Sequence, residues 1–423
     1  MPETKYIPRE LELKIRKMAN FFPVVMVTGP RQSGKTTMLR HVLRALNIDF
    51  DYVTLDNVKL RADANSDPEE FLRRFRTPLL IDEFQYAPEL LSYIKIQVDK
   101  KREESLLAGE KKPAGLYFLT GSQVFQTMKN VSESLAGRVG LATLHPLSQR
   151  ELEGRWSAPF VPLWPELRHR PTTQRRTKKE IFTGIWRGGY PEVQTAKLSE
   201  VTDFYNAYLQ TYIERDLRDI LTIKNESKFV KFLRCLALNV GQEYNASDLS
   251  RSIEVNSQTI DSWLSVALST HLIYLLPTYA SNELKRVIKR PKIYFMDTGL
   301  ACNLAGYADI EALMLSPYAG HIFENWVISE VIKSYTHAGF DPRDRLYYYR
   351  DSKKREIDLV VASEKLIHPV EIKTAAKATP SDVASFAVLA EMGETVGAGS
   401  LIYLGEQLCE LVPNVTMLPL EYV

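Results

Sequence analysis

Short, unbroken apolar runs alternate with stretches of helical spacing over the first third of the chain. Val24-Val25-Met26-Val27, Leu79-Leu80-Ile81 and Leu116-Tyr117-Phe118-Leu119 have strand length and no polar alternation, as strands covered on both faces do. Between them Met38-Leu39-Arg40-His41-Val42-Leu43 repeats at helical spacing, and residues 8 to 22 set Leu11, Ile15 and Met18 on one helical face. The stretch from Phe50 to Asp56 adds a further strand. This alternation predicts an α/β fold on a parallel sheet.

Farther along, the pattern changes. Residues 151 to 180 contain Pro159, Pro162, Pro165 and Pro171, which prevent long regular structure. Within them Arg168 to Lys179 is strongly basic, and reads either as a phosphate-backbone contact or as a solvated linker. From Ile181 to Asn225 helical periodicity dominates. Residues 228 to 296 have the outline of a winged helix: a helix from Lys228, a short one capped by Asn245, and Ser257 to Leu264 in the place of a recognition helix. Two strands, Leu272 to Leu276 and Ile293 to Phe295, then flank a basic tip running from Lys285 to Lys292. Ser257, Gln258, Lys285, Arg286, Lys289 and Arg290 are the candidate DNA-binding residues; the alternative is that this module contacts protein.

One stretch carries chemistry in every letter. The strand at Val24 runs into Gly29-Pro30-Arg31-Gln32-Ser33-Gly34-Lys35-Thr36-Thr37 and then a helix, the context a phosphate-binding loop requires. Gly29 and Gly34 permit positive φ, so that the amides from Gly29 to Thr37 can face phosphates at a helix N-terminus. Lys35 suits the β- and γ-phosphates, and the Thr36 hydroxyl suits magnesium. Asp82 and Glu83 follow the apolar strand at Leu79, at the same sheet edge. Asp82 is expected to hold magnesium through water and Glu83 to activate the attacking water. Thr120 and Ser122, ending the strand at Leu116, are candidates for placing that water. Arg138, in Ala136-Gly137-Arg138-Val139, is read either as an arginine reaching a neighbouring subunit's γ-phosphate or as one more solvent-facing arginine.

Composition narrows the class without changing this picture. At 423 residues the chain is long enough for two or three domains, and 45% hydrophobic with 25% charged residues is ordinary for a soluble protein. No run of 18 uncharged apolar residues occurs and Met1-Pro2-Glu3-Thr4-Lys5 lacks a signal-peptide pattern, so no membrane partner and a cytoplasmic location are expected. Cys235, Cys302 and Cys409 are far apart and lack metal spacing, which argues against a disulfide framework or a zinc site. The net charge of +2 leaves only the local placement of basic residues informative about polyanions.

Taken in order, Gly-Pro-Arg-Gln-Ser-Gly-Lys-Thr, Leu-Leu-Ile-Asp-Glu, Phe-Leu-Thr-Gly-Ser, Leu-Ala-Gly-Arg-Val and Leu-His-Pro-Leu-Ser-Gln-Arg-Glu resemble a prokaryotic AAA+ family ATPase, of the group with an uncharacterised C-terminal domain. Gly188-Gly189-Tyr190-Pro191-Glu192 and Tyr294-Phe295-Met296-Asp297-Thr298-Gly299-Leu300 extend the likeness. The resemblance implies an ATP-driven, DNA-associated or regulatory machine in which a small helical lid follows the ATPase core. The end of the chain is similar to the PD-(D/E)xK nuclease fold: a helix bearing Glu324, a strand reaching Asp358, and a strand with Glu371 and Lys373. Asp358, Glu371 and Glu324 are candidate magnesium ligands there, with Lys373 on the face of Glu371 as a possible nuclease lysine.

The expected architecture is α/β: a P-loop AAA+ parallel-sheet core (1–150), a basic insertion and helical lid (151–225), a winged helix (226–300) and an α/β restriction-endonuclease-like domain (301–423). The expected function is ATP hydrolysis with magnesium, in a ring or other homo-oligomer acting on branched or single-stranded DNA. Two alternatives stand beside it: a nucleotide-dependent switch that recruits a protein partner, and an ATP-regulated, magnesium-dependent nuclease.

Overall fold

The computed structural model describes residues 6–122, 135–156, 158–162, 167, 169–170, 172, 174–212, 226–281, 289–363 and 365–423. Two compact units emerge. The first is residues 1–147 with the short segments 269–271 and 336–339, and the second is the remainder.

In the first unit the elements are α1 (Leu11–Ala19), β1 (Val24–Thr28), α2 (Lys35–Ala45), β2 (Asp51–Thr54), α3 (Val58–Ser66), α4 (Pro68–Arg73), β3 (Leu79–Asp82), α5 (Leu90–Leu107), β4 (Tyr117–Gly121) and β5 (Val139–Thr143). The strands form one five-stranded sheet in the order β2-β3-β4-β1-β5, every pair parallel. Successive side chains of a strand point to opposite faces. Val25 and Val27 therefore pack with Leu11, Ile15, Met38 and Leu39 of α1 and α2, whereas Val24 and Met26 join a separate core with Phe71, Leu91 and Ile94 of α4 and α5. Burial on both faces is why these strands read as unbroken apolar runs.

The second unit begins with helices α6 (Lys178–Arg187), α7 (Pro191–Thr195), α8 (Leu198–Tyr212), α9 (Glu226–Leu238), α10 (Ala246–Ile253) and α11 (Ser257–Ser269). An antiparallel pair follows, β6 (Ile273–Leu276) with β7 (Lys292–Phe295), then α12 (Thr298–Ala305), α13 (Ile310–Leu315) and α14 (Ala319–Ala338). A mixed six-stranded sheet comes last, from β8 (Leu346–Arg350), β9 (Glu356–Ala362), β10 (Ile367–Lys373), β11 (Gly399–Tyr403), β12 (Cys409–Val412) and β13 (Val415–Pro419), in the order β12-β13-β11-β10-β9-β8. One core unites Ile181, Phe182 and Tyr205 with Phe232, Trp263, Phe323 and Leu359. The helices over 178–212 thus share their hydrophobic interior with the helices and strands that follow.

Buried charge organises this core. Asp297 caps α12, its Oδ1 accepting from Leu300 N at 2.8 Å and from the Tyr205 hydroxyl at 2.7 Å, while Oδ2 accepts from Gly189 N at 2.6 Å. At Gly188, where φ is +78°, a Cβ would stand 2.1 Å from the Tyr205 hydroxyl and 2.6 Å from Asp297 Oδ1. The Gly-Gly-Tyr and Asp-Thr-Gly motifs, distant in sequence, are therefore two halves of one buried hydrogen-bond hub. Burial raises the Asp297 carboxyl above its usual range against the pull of these three donors.

Replacing Asp297 by Ala leaves the Gly189 and Leu300 amides buried without that acceptor, each costing about 1–3 kcal/mol, while the Tyr205 hydroxyl keeps the Arg187 carbonyl at 2.9 Å. Chemical denaturation should show Asp297→Ala destabilised by roughly 2 kcal/mol or more, with Asp297→Asn recovering part of the loss. Wild-type stability in Asp297→Ala would remove the hub from this account.

Candidate nucleotide site

β1 ends at Thr28 and α2 begins at Lys35, so the glycine-rich loop turns at the carboxyl edge of the sheet. At Gly29 φ is +143°, and a Cβ there would stand 2.1 Å from the carbonyl oxygen of Leu144, so no side chain fits. Gln32 (φ 58°) and Gly34 (φ 92°) also take positive φ, which bends the loop back to start α2. Ser33 is buried within the loop and Pro30 at its start, while Gln32 and Thr37 are exposed. Lys35 is itself buried, and its Nζ donates to the carbonyls of Gly29 at 3.1 Å and Pro30 at 2.9 Å. The ammonium is thus held over the loop.

Asp82 ends β3. It accepts from the Thr36 hydroxyl at 2.7 Å, from the Thr120 hydroxyl at the same oxygen, and from the Tyr52 hydroxyl at 3.3 Å. Topology explains the convergence: β4 lies between β1 and β3, with Ile81 opposite Leu119 and Thr28 opposite Gly121. The next residue, Glu83, adopts left-handed backbone (φ 52°, ψ 44°), a costly conformation for a non-glycine residue that concentrates at functional sites. Gln85 Nε2 donates to Glu83 Oε2 and, at 3.4 Å, to Ser122 Oγ. Burial pushes the Glu83 carboxyl above its usual range, opposed by the Lys35 ammonium and the Gln85 hydrogen bond. A raised carboxyl beside a buried lysine suits a proton acceptor.

Lys35, Thr36, Asp82, Glu83, Thr120 and Ser122 therefore belong to one constellation. The donor set fits nucleotide with magnesium: loop amides and Lys35 for phosphates, the Thr36 hydroxyl and Asp82 for the ion. The ion, when bound, supplies charge neutralisation at the phosphates. Arg138 is elsewhere. It precedes β5 at the amino edge, where its carbonyl accepts from Val24 N, and its guanidinium makes a two-pronged pair with Asp99 at 2.7 and 2.9 Å. Three participants escaped the sequence reading. Arg9 braces the loop by donating to the carbonyls of Ser33 at 2.8 Å and His145 at 2.7 Å; Gln85 links Glu83 to Ser122; Tyr52 reaches Asp82.

Residues 22–153 match the family model described as an AAA domain. Its P-loop ATPase fold supports ATP binding and hydrolysis. Residues 178–311 and 319–423 match two models each described as a domain of unknown function, DUF8612 and DUF4143. Uncharacterized proteins of Mycobacterium tuberculosis and Mycobacterium bovis are each 28% identical over 419 residues, covering 98% of this chain and 84% of theirs. Among solved structures, the Walker-type ATPase of Pyrococcus abyssi is 13% identical and aligns over 71% of this chain and 99% of its own, with a TM-score of 0.43. The ORC2 protein of Aeropyrum pernix is 16% identical over 74% of this chain and 97% of its own, at a TM-score of 0.35. Among the described residues no helix is long and apolar enough to cross a membrane.

Beyond residues 22–153, the sequence candidates scatter. Lys285 and Arg286 lie outside the described residues. Ser257, Gln258, Lys289 and Arg290 are exposed. Lys292, counted with the basic tip, is instead buried: β7 turns it inward, onto Glu324 at 3.0 Å and Glu356 at 2.6 Å. Of the run Arg168 to Lys179, Arg175 pairs with Glu406, Arg176 lies over the Trp326 ring and Lys178 over the Phe182 ring. Glu324, Asp358 and Glu371 are all nearly buried, Asp358 Oδ2 accepting from Ile372 N at 2.9 Å and Glu371 Oε1 pairing with Lys373 Nζ at 2.7 Å.

Lys35→Ala should abolish ATP binding in a fluorescence or calorimetric titration. Glu83→Gln should keep binding while phosphate release falls about 10²–10⁴-fold, the range for losing a general base. Because Glu83 must be ionised to accept a proton, wild-type turnover should fall as pH drops through its raised pKa. Normal hydrolysis by Glu83→Gln would remove Glu83 from that role.

Proposed function

We propose that the chain is an ATPase, using ATP and magnesium, whose hydrolysis is coupled to DNA held by the helices and hairpin of residues 226–296 in a winged-helix role. The observation that carries the ATPase part is the meeting of Lys35, Thr36, Asp82 and the left-handed Glu83 at one sheet edge. Walls of opposite character support the DNA part. A cleft of about 400 Å³ at the hairpin is lined by Lys289, Arg290, Arg350 and Lys354, against Glu243 and Asp351. Such a surplus of cations suits a phosphate backbone. The C-terminal module in its nuclease-like reading adjoins the same cleft through Arg350 of β8. Self-association belongs to the proposal too: Arg138 stands at the amino edge, so a γ-phosphate within its reach is another subunit's, and its pair with Asp99 must open to deliver it.

A specific observation favours a second reading, the partner-controlled switch. The exposed face of α11 presents Ser257, Gln258, Asp261, Ser262 and Ser265, without a lysine or arginine. A recognition helix that meets DNA normally carries positive charge.

Phosphate release measured with and without duplex, branched and single-stranded DNA separates the two. A DNA-coupled ATPase is accelerated by one of them, and Lys289→Ala with Arg290→Ala weakens that DNA's binding and lowers its salt slope by about 2. A switch is indifferent to all three.

A further inference from the structure

The carboxylates of the C-terminal module invite a divalent cation, yet the structure supplies a cation from within the chain. Glu324 on α14 and the half-buried Glu356 on β9 contact one buried ammonium, and the buried Asp358 on β9 and Glu371 on β10 are close enough for their charges to act on Glu324 and on each other. The ammonium belongs to Lys292, which reaches in from β7, a strand of a different sheet. Its side chain is 2% exposed, and its Nζ donates to Glu324 Oε1 at 3.0 Å and pairs with Glu356 Oε1 at 2.6 Å.

Most of the oxygens that a metal would recruit are already engaged. Tyr294, two residues along and on the same face of β7, donates its hydroxyl to Glu324 Oε1 at 2.5 Å, and His321 Nδ1 stands 3.7 Å from Glu324 Oε2. Asp358 spends one oxygen on the Ile372 amide, Glu371 is paired with Lys373, and Arg350 Nε stands 3.5 Å from Glu356 Oε2. Only Glu371 Oε2 is buried without a hydrogen-bond partner. Among the described residues no group of three His, Cys, Asp or Glu side chains is disposed to hold a metal ion.

Electrostatics points the same way. Three cations, Lys292, Lys373 and Arg350, face the carboxylates. A buried ammonium is stable only with such partners, and a divalent ion would have to eject it into a low-dielectric interior or share the position with it, both costly. The residues therefore do not fit a metal nuclease centre.

We infer that Lys292 is the resident cation of this carboxylate cluster, standing where a divalent ion would bind and fastening the β6–β7 hairpin to the C-terminal sheet. The module then needs no metal at this position, and the hairpin and the sheet move as one body. A Lys at 292 is thus a specificity device: it keeps a nuclease-like frame without the ion that nuclease chemistry requires.

The test is a calorimetric titration of the full-length, nucleotide-free protein with manganese(II). Wild type and Glu371→Gln should give the same curve, because the cluster takes up no ion. Lys292→Met should gain one site at least roughly ten-fold tighter than any in wild type, and adding Glu324→Gln to it should remove that site. The inference is overturned if wild type shows a saturable site that Glu371→Gln abolishes, or if folded Lys292→Met gains none. Should Lys292→Met not fold, the comparison of wild type with Glu371→Gln decides alone.

Discussion

The carboxylate of Asp82 gathers hydroxyls from three separate elements, and the first unit's chemistry depends on that convergence. Thr36 comes from the start of α2, Thr120 from β4 and Tyr52 from β2. These contacts require the strand order actually observed, because only with β4 beside β3 can Thr120 stand next to Asp82. The same carboxyl edge holds the loop from Gly29 to Gly34 and the strained turn at Glu83. Hydroxyl donors to one carboxylate are worth about 1.5–3 kcal/mol each when charge-assisted. They tie the phosphate loop to the strand that carries the candidate water-activating acid.

The second unit relies on a comparable device, ionisable groups buried inside a hydrogen-bonded cage. Asp297 joins α12 to α8 and to the Gly-Gly-Tyr turn, and Lys292 joins β7 to α14 and β9. Burial opposes charge on Glu324, but Lys292, with His321 and Tyr294, outweighs it and draws that carboxyl well below its usual range. Asp358 goes the other way: burial, then the charges of Glu324 and Glu371, hold it well above. Neighbouring carboxyls are thus driven in opposite directions by their surroundings, Glu324 downward beside the Lys292 ammonium and Asp358 upward. Removing one member of such a set leaves the others uncompensated, which costs more than the pair contributes.

How much of this could be read beforehand depended on whether a residue's role is local. The loop from Gly29 to Thr37 was legible because backbone geometry itself demands glycine there, and Asp82 with Glu83 because an acidic pair closes an apolar strand. The parallel sheet was legible from runs buried on both faces. Arg9 and Gln85 were not, since each acts across a long sequence gap on a carbonyl or an amide and leaves no spacing signature. Lys292 was counted with the basic tip, although it is buried. Its alternation with Tyr294 on β7 held the signal, as both side chains point to the buried face, but a lysine in a basic run is ordinarily exposed. The motifs around Gly188 and Asp297 were quoted as a likeness, and only the buried hub gives them a physical cause.

The most direct measurement of the central claim is a crystal structure of the wild-type protein with a non-hydrolysable ATP analogue and magnesium. The account predicts that Lys35 Nζ leaves the carbonyls of Gly29 and Pro30 for the phosphates. It also predicts that the Thr36 hydroxyl exchanges Asp82 for the ion while Asp82 stays beside it, and that Glu83 faces the terminal phosphate. Nucleotide bound away from the glycine loop, or Lys35 still folded onto its own carbonyls beneath the triphosphate, would contradict it.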